Sequence, residues 1–254
     1  MPVKNVAVLG GGSFGTVVAN IIAHNNHKTL LWMRDKEQVL SLNNLHENIN
    51  YLPGYKIHED VVATDDLAAA VKDVDLIFVA VPSSSFRNVV QQMHPLIHKD
   101  VILVSLTKGI EAKTFALMSQ ILAEETDNKH IAALSGPNLA KEIAVNSPTG
   151  AVVASIDPEV VKSVQEVLHS DNFRVYSNAD MLGVELGGSL KNIYAIIAGL
   201  AEAMGMGHNT NAMLVTRSLT EMARFGVELG ADPMTFLGLS GVGDLIVTCS
   251  SPLS

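Results

Sequence analysis

Val6-Ala7-Val8-Leu9-Gly10-Gly11-Gly12-Ser13-Phe14-Gly15 decides how this chain folds. Its apolar start does not alternate with polar residues, which is the pattern of a strand covered on both faces of a parallel sheet. Glycines at 10, 12 and 15 follow, and from Thr16 to His24 the residues Val17, Val18, Ile21 and Ile22 recur at helical spacing. Strand, glycine-rich turn, helix is the order in which G-x-G-x-x-G holds a dinucleotide. Gly10 is expected to make the tight turn, Gly12 to let the backbone approach a pyrophosphate, and Gly15 to let the helix pack on the strand. The N–H groups of Ser13 and Phe14 at the helix start then face the phosphates, where free backbone donors and the helix dipole favour an anion.

Downstream, the alternation of strand and helix continues. The run Thr29-Leu30-Leu31-Trp32-Met33 ends at Arg34-Asp35, the place where such folds meet the adenosine ribose. An acid there suits a free 2′-hydroxyl and an arginine suits a 2′-phosphate, so the pair leaves NADH and NADPH both open, with a lean to NADPH. Further strands are expected at 61–63, 76–81, 101–105, 131–134, 150–154 and 173–176. Helices are expected at 36–47, 66–72, 83–98, 114–125 and 158–169, and a loop at Tyr51-Leu52-Pro53-Gly54. Three strands stop at glycine-rich or polar loops: Pro82-Ser83-Ser84, Thr107-Lys108-Gly109 and Ser135-Gly136-Pro137-Asn138. Ligands bind at the carboxyl ends of strands in open α/β sheets, so these loops point to one crevice. Lys108 is placed to bind a phosphate or polarise a carbonyl, and Asn138 to hydrogen-bond a polyol or cap a helix.

From Asp180 onward only helical patterns remain, at 181–206, 210–229 and 233–238. The expected fold class is therefore α/β: a Rossmann-like, mostly parallel sheet domain over 1–179, then an all-helical domain over 180–254.

The totals exclude several functions. A formal net charge of −9 argues against binding nucleic acid or an anionic membrane. An anionic ligand must then meet a few placed cations and backbone N–H groups. The single Cys249 allows no internal disulfide and fits a reducing compartment. His94 and His98 lack a carboxylate or cysteine to complete a metal set, so no metal is expected. No apolar run spans a bilayer without a charge or breaker, and the amino terminus leaves no room for a signal peptide, so a cytoplasmic protein is expected.

Within the helical part, Gly187-Gly188-Ser189-Leu190-Lys191-Asn192 sets one lysine into an apolar surround. Such a lysine either snorkels to the surface or faces a substrate.

These blocks carry a resemblance. Gly10–Gly15, Thr107–Gly109, Ser135–Pro137, Phe173–Asn178, Gly187–Asn192 and Gly241-Val242-Gly243-Asp244-Leu245 stand in the order found in bacterial-type NAD(P)-dependent glycerol-3-phosphate dehydrogenase. The first block is common to many dehydrogenases; the last three are specific. The resemblance implies reversible reduction of dihydroxyacetone phosphate, a triose phosphate, to sn-glycerol 3-phosphate for phospholipid synthesis. It implies Lys191 as the proton donor and acceptor, and Lys108, Gly136, Asn138, Lys191, Asp244 and Ser254 as substrate contacts. On the cofactor it implies Gly10, Gly12, Ser13, Phe14, Gly15, Arg34, Lys108 and Ala140, and for the assembly a homodimer. Asn138 stands where bacterial members carry Ser or Thr. The family continues past the position of Ser254 with an Arg-Asn pair and more helix, so the helical domain is expected to be incomplete. Two other readings share the early blocks: a related two-domain dehydrogenase of 3-hydroxy acids or sugar acids, and a non-catalytic dinucleotide-binding protein.

Overall fold

The computed structural model describes residues 4–251. In chain order it runs β1 (Asn5–Leu9), α1 (Ser13–His24), β2 (Lys28–Trp32), α2 (Lys36–Leu45), β3 (Glu47–Asn48), β4 (Leu52–Lys56), β5 (Val61–Thr64), α3 (Leu67–Val71), β6 (Leu76–Val79), α4 (Ser83–Met93), β7 (Ile102–Ser105), α5 (Met118–Thr126), β8 (Ile131–Ser135), α6 (Ala140–Ala144), β9 (Thr149–Ala154), α7 (Pro158–Leu168) and β10 (Phe173–Asn178). Three further helices follow: α8 (Met181–Ala203), α9 (His208–Glu228) and α10 (Asp244–Ser250), with a 3₁₀ turn at Pro233–Leu237 and a π turn at Leu239–Gly243 between the last two.

The eight-stranded sheet has the order β10-β9-β8-β7-β6-β1-β2-β5. All neighbouring strands are parallel except β8 and β9, which run antiparallel. The order reverses between β1 and β6, so the crevice of such a sheet opens at their carboxyl ends. Two apolar layers cover the sheet, because the continuous strand runs point alternate side chains to opposite faces. One layer packs Val6, Val8, Phe78 and Val104 against α1 residues Val18 and Ile22; the other packs Leu9, Ile77 and Leu103 against Phe86 and Val90 of α4. The helical part has a core of its own around Leu186, Met222, Phe236 and Leu245.

The structure corrects three sequence expectations. Tyr51–Gly54 is not simply a loop, since Leu52–Lys56 is a strand paired antiparallel with β3. Its anchor is Leu52, which is fully buried, whereas a short strand carrying Pro53 and Gly54 gives little periodic signal. The helix after β6 stops at Met93, because Pro95 removes the donor the next turn needs and the chain tightens into a 3₁₀ turn at His94–Leu96. The helix expected from 114 begins at Met118, the preceding residues being held by an isolated bridge between Ile110 and Leu117.

Candidate functional site

The glycine turn is shaped by what its missing side chains would strike. Gly10 has φ +126°, and a Cβ there would sit 2.4 Å from the carbonyl oxygen of Ala80 at the end of β6. A Cβ on Gly15 would sit 2.0 Å from the Gly10 oxygen, so α1 rests directly on the turn. A Cβ on Gly12 would meet nothing within 4 Å. Gly10 and Gly15 are thus required by the fold, whereas Gly12 is open toward the cleft. The cleft is a cavity of about 770 Å³ lined by Gly10, Gly11, Gly12, Phe14, Arg34, Tyr51, Ser83 and Lys108, among others. Ser13 and Phe14 open α1 beneath it, and the Ser13 hydroxyl donates to the Tyr51 carbonyl (2.7 Å), which fixes Tyr51 over the turn. A helix N-terminus with free N–H groups, a glycine open to the cleft and a cavity of this size fit a dinucleotide.

Arg34 and Asp35 have separate roles. The Asp35 carboxylate caps α2, accepting from the N–H groups of Glu37 (2.9 Å) and Gln38 (3.3 Å). Arg34 is exposed at the cavity wall, leaving its guanidinium as the charged group directed at a ligand.

At the other end of the cleft, three charged side chains meet. The Asp244 carboxylate, 1% exposed, accepts from Lys191 Nζ at 2.5 Å and from Lys108 Nζ at 2.6 Å, one oxygen each. Lys108 also donates to the Gly136 carbonyl (2.8 Å), and Lys191 to Thr248 Oγ1 (2.7 Å). Two ammonium groups against one carboxylate leave one net positive charge, suited to an anionic substrate or a developing oxyanion. Burial pushes the Lys108 ammonium down to about 8; nearby Asp244 opposes that shift and Lys191 adds to it. Lys191 itself is buried at 9% exposure and does not snorkel.

The backbone makes this meeting possible. A Cβ on Gly187 would lie 2.3 Å from the Ser240 oxygen, and one on Gly188 would lie 2.8 Å from Ser135 Oγ and 3.3 Å from Lys108 Cγ. The two glycines therefore let α8 lie against both the π turn and the end of β8, one turn ahead of Lys191. Gly136, at φ +138°, turns its carbonyl to Lys108. Asn138 caps no helix: its Nδ2 donates to the Gly150 oxygen (3.3 Å), while its Oδ1 and Ser135 Oγ are buried without a partner. Unsatisfied buried polar atoms are costly unless something else completes them, and a polyol hydroxyl would do so. Ala140 opens α6 and packs on the core beside α1, outside the residues that line the cleft. Ser254 lies outside the described residues.

Sequence reasoning missed Thr248 and Glu185, and named Ser135 only as part of a strand-end loop. Thr248 accepts from Lys191 and donates to the Asp244 carbonyl (2.6 Å), which ties the lysine to α10. Its signal was the four-residue spacing from Asp244, legible only once 244–250 is known to be helical.

The family profiles described as NAD-dependent glycerol-3-phosphate dehydrogenase N-terminus and C-terminus match residues 5–161 and 180–254. A Saccharophagus degradans protein named glycerol-3-phosphate dehydrogenase (NAD(P)+) is 58% identical over 249 residues, covering 98% of this chain and 70% of that protein. One of the same name from Pseudomonas fluorescens is 58% identical over 251 residues, covering 99% and 73%. The crystal structure of glycerol-3-phosphate dehydrogenase from Coxiella burnetii superposes with a TM-score of 0.95 at 40% identity, over 99% of this chain and 77% of that one.

Proposed function

The chain belongs to the NAD-dependent glycerol-3-phosphate dehydrogenase family, and from that premise we propose that Lys191, Lys108 and Asp244 are the reacting end of its cleft. It is an NAD(P)-dependent oxidoreductase that interconverts dihydroxyacetone phosphate and sn-glycerol 3-phosphate, the building block of glycerophospholipids. This reading displaces both a 3-hydroxy-acid or sugar-acid dehydrogenase and a non-catalytic binder. The observation that carries the site is the single buried carboxylate holding both lysines.

The cofactor is held by the Gly10–Gly15 turn, the Ser13 and Phe14 N–H groups, Arg34 and Lys108. When bound, its nicotinamide supplies or accepts the hydride. Lys191, as an ammonium, gives a proton to the carbonyl oxygen of the substrate as negative charge builds there, and takes it back in the reverse direction. A positioned acid of this kind contributes roughly 10²–10⁴ in rate. Lys108 stabilises the same oxygen electrostatically and orients the substrate. Asp244 keeps both ammonium groups aimed into the cleft, and Thr248 fixes the second hydrogen bond of Lys191. Gly136 and Asn138 supply the wall against the substrate, with Asn138 Oδ1 and Ser135 Oγ as open polar positions. Ala140 and Ser254 stay proposed contacts on the resemblance alone. The free Arg34 favours NADPH over NADH.

The test is Lys191→Ala. Turnover is expected to vanish while the cofactor titrates as in wild type; turnover within about tenfold of normal would sink the role.

We also propose a two-domain division at 179/180, where β10 gives way to α8, and a cytoplasmic homodimer. Among the described residues no helix is long and apolar enough to cross a membrane. The lone cysteine supports a reducing compartment. Support for the dimer is the stripe Ile193, Ile196, Ile197 and Leu200 on α8, continued by Met204 at its C-cap, all exposed at helical spacing. Sedimentation velocity on wild type and Ile196→Glu checks it: a monomer in both refutes it.

A further inference from the structure

A buried carboxylate on α8 stands outside this chemistry. Glu185 is 8% exposed and lies on α8, six residues before Lys191. Its carboxylate accepts from the Ser119 N–H (3.0 Å), from the Ser119 hydroxyl through a short hydrogen bond, and from the Met118 N–H. Those donors form the first turn of α5, which packs on the sheet behind β7 and β8. Among the described residues Glu185 has no cationic partner; the groups facing it are a helix N-terminus and one hydroxyl.

The glycine pair gives this tie its meaning. Helices hold their register by fitting side chains into a neighbour's grooves. At Gly187 and Gly188, α8 presents bare backbone to Ser240, Ser135 and Lys108, so close approach there comes without such a key. Register is set on either side of them, by the buried Val184 and Leu186 side chains and by polar ties. Asp180 sets the start of the helix, accepting from the Gly183 N–H and the Asp232 N–H, each at 2.9 Å. Glu185 is the last polar tie before the glycines, and Lys191 stands about 9 Å further along the axis at 1.5 Å per residue. A lysine nitrogen stands several ångströms outside the 2.3 Å Cα cylinder, so turning α8 by about 10° moves it on the order of 1 Å.

We infer that Glu185 is a positioning residue, fixing the height and rotation of α8 against α5 so that Lys191 meets Asp244 and Thr248; this rests on the proton-donor reading of Lys191. The fold holds the tie against its own preference. Burial raises the Glu185 carboxyl to about 6, so what the group adds to stability is full below its ordinary 4.5 and is lost as pH rises through 6. The three donors of α5 offset part of that burial cost and hold the carboxylate in place.

The experiment compares Glu185→Ala, Glu185→Gln and Ser119→Ala with Lys191→Ala, measuring kcat, the KM for dihydroxyacetone phosphate, the cofactor dissociation constant and Tm at pH 8. Glu185→Ala is expected to lower kcat by about 10–100-fold, more than it raises KM, as a 1 Å misplacement does. Cofactor binding should stay within about twofold, because the Gly10–Gly15 turn is untouched. Glutamine can accept from the Ser119 N–H and donate to the Ser119 hydroxyl, so Glu185→Gln should recover kcat to within about threefold with a Tm no lower than wild type. Ser119→Ala should fall between the two, and it decides the matter if Glu185→Ala does not fold. Overturning results are a folded Glu185→Ala with wild-type kcat, a Glu185→Gln as slow as alanine, or an unaffected Ser119→Ala. An active Lys191→Ala would instead overturn the site reading itself.

Discussion

Asp244→Asn removes one charge and almost no volume from beneath the Lys108 end of the cleft. Asp244 is 1% exposed and is the only carboxylate, among the described residues, within salt-bridge distance of Lys108 (2.6 Å) or Lys191 (2.5 Å). The amide oxygen can still accept from one lysine, but the amide nitrogen then faces the other as donor against donor. Breaking one side of a buried ion pair costs about 3–5 kcal/mol, a large share of a total near 5–15 kcal/mol. At roughly 2–4 °C per kcal/mol for a chain of this size, Tm should fall by about 6–20 °C near neutral pH.

The pH dependence has a definite sign. Lys108 is held at about 8 against its ordinary 10.5, so between those values the folded chain binds fewer protons than the unfolded one and stability rises with pH. Asp244 opposes this depression; without it the Lys108 value drops further and the window opens at lower pH. The deficit of the variant should therefore shrink as pH rises toward about 8, because Lys108 discharges earlier in the variant, and stay level above it. Differential scanning calorimetry at pH 6.5, 8 and 9.5 measures it. A Tm loss under about 2 °C at pH 7, or a loss that widens with pH, would refute the claim that Asp244 exists to hold two charged lysines.

Gly12→Ala should leave Tm unchanged, since its Cβ meets nothing, yet weaken cofactor binding by about tenfold or more by standing where the pyrophosphate approaches; isothermal titration calorimetry reads it, and unchanged affinity would remove Gly12 from the site. Arg34→Ala should raise the KM for NADPH by about 10–100-fold, the equivalent of a charged hydrogen bond, and move that for NADH by about twofold at most; equal effects on both cofactors would end the 2′-phosphate argument. If Lys108 must be charged to hold the substrate, kcat/KM should decline with a basic limb near pH 8. Lys108→Arg should carry that limb out of range, and a limb that stays put assigns it to another group.

How much of this was legible in the chain depends on whether local pattern or tertiary packing makes each element. The strand, turn and helix at 5–24 were readable because an unbroken apolar run, three spaced glycines and a 3.6-residue period agree with one another. The carboxyl-end loops were readable for the same reason, and the parallel pairing of β6, β7 and β8 brings Ser83, Lys108 and Gly136 to one edge of the sheet. The antiparallel turn of β9 against β8 was not, since apolar runs carry no direction. Composition alone leaves Lys191 poised between surface and site; the resemblance implies a site role, and the packing of α8 through its glycines buries the side chain.

The helix α10 shows the opposite limit. Ile246, Val247 and Thr248 are β-branched and by propensity favour a strand. They are helical because Leu245 is driven into the core of the helical part against Leu186 and Phe236, and because a helix puts Asp244 and Thr248 on one face toward Lys191. Glu185 was hidden more deeply. In a list of residues it is one acid among 26 Asp and Glu, and nothing in its neighbours distinguishes a solvated charge from one buried on a distant helix start. Residues whose identity answers to their own segment are thus readable in advance. Those that answer to a partner 50 or more positions away, as Lys191 does to Asp244 across 53 and Glu185 to Ser119 across 66, become readable only in three dimensions. Those distant pairings are the ones on which the proposed proton transfer rests.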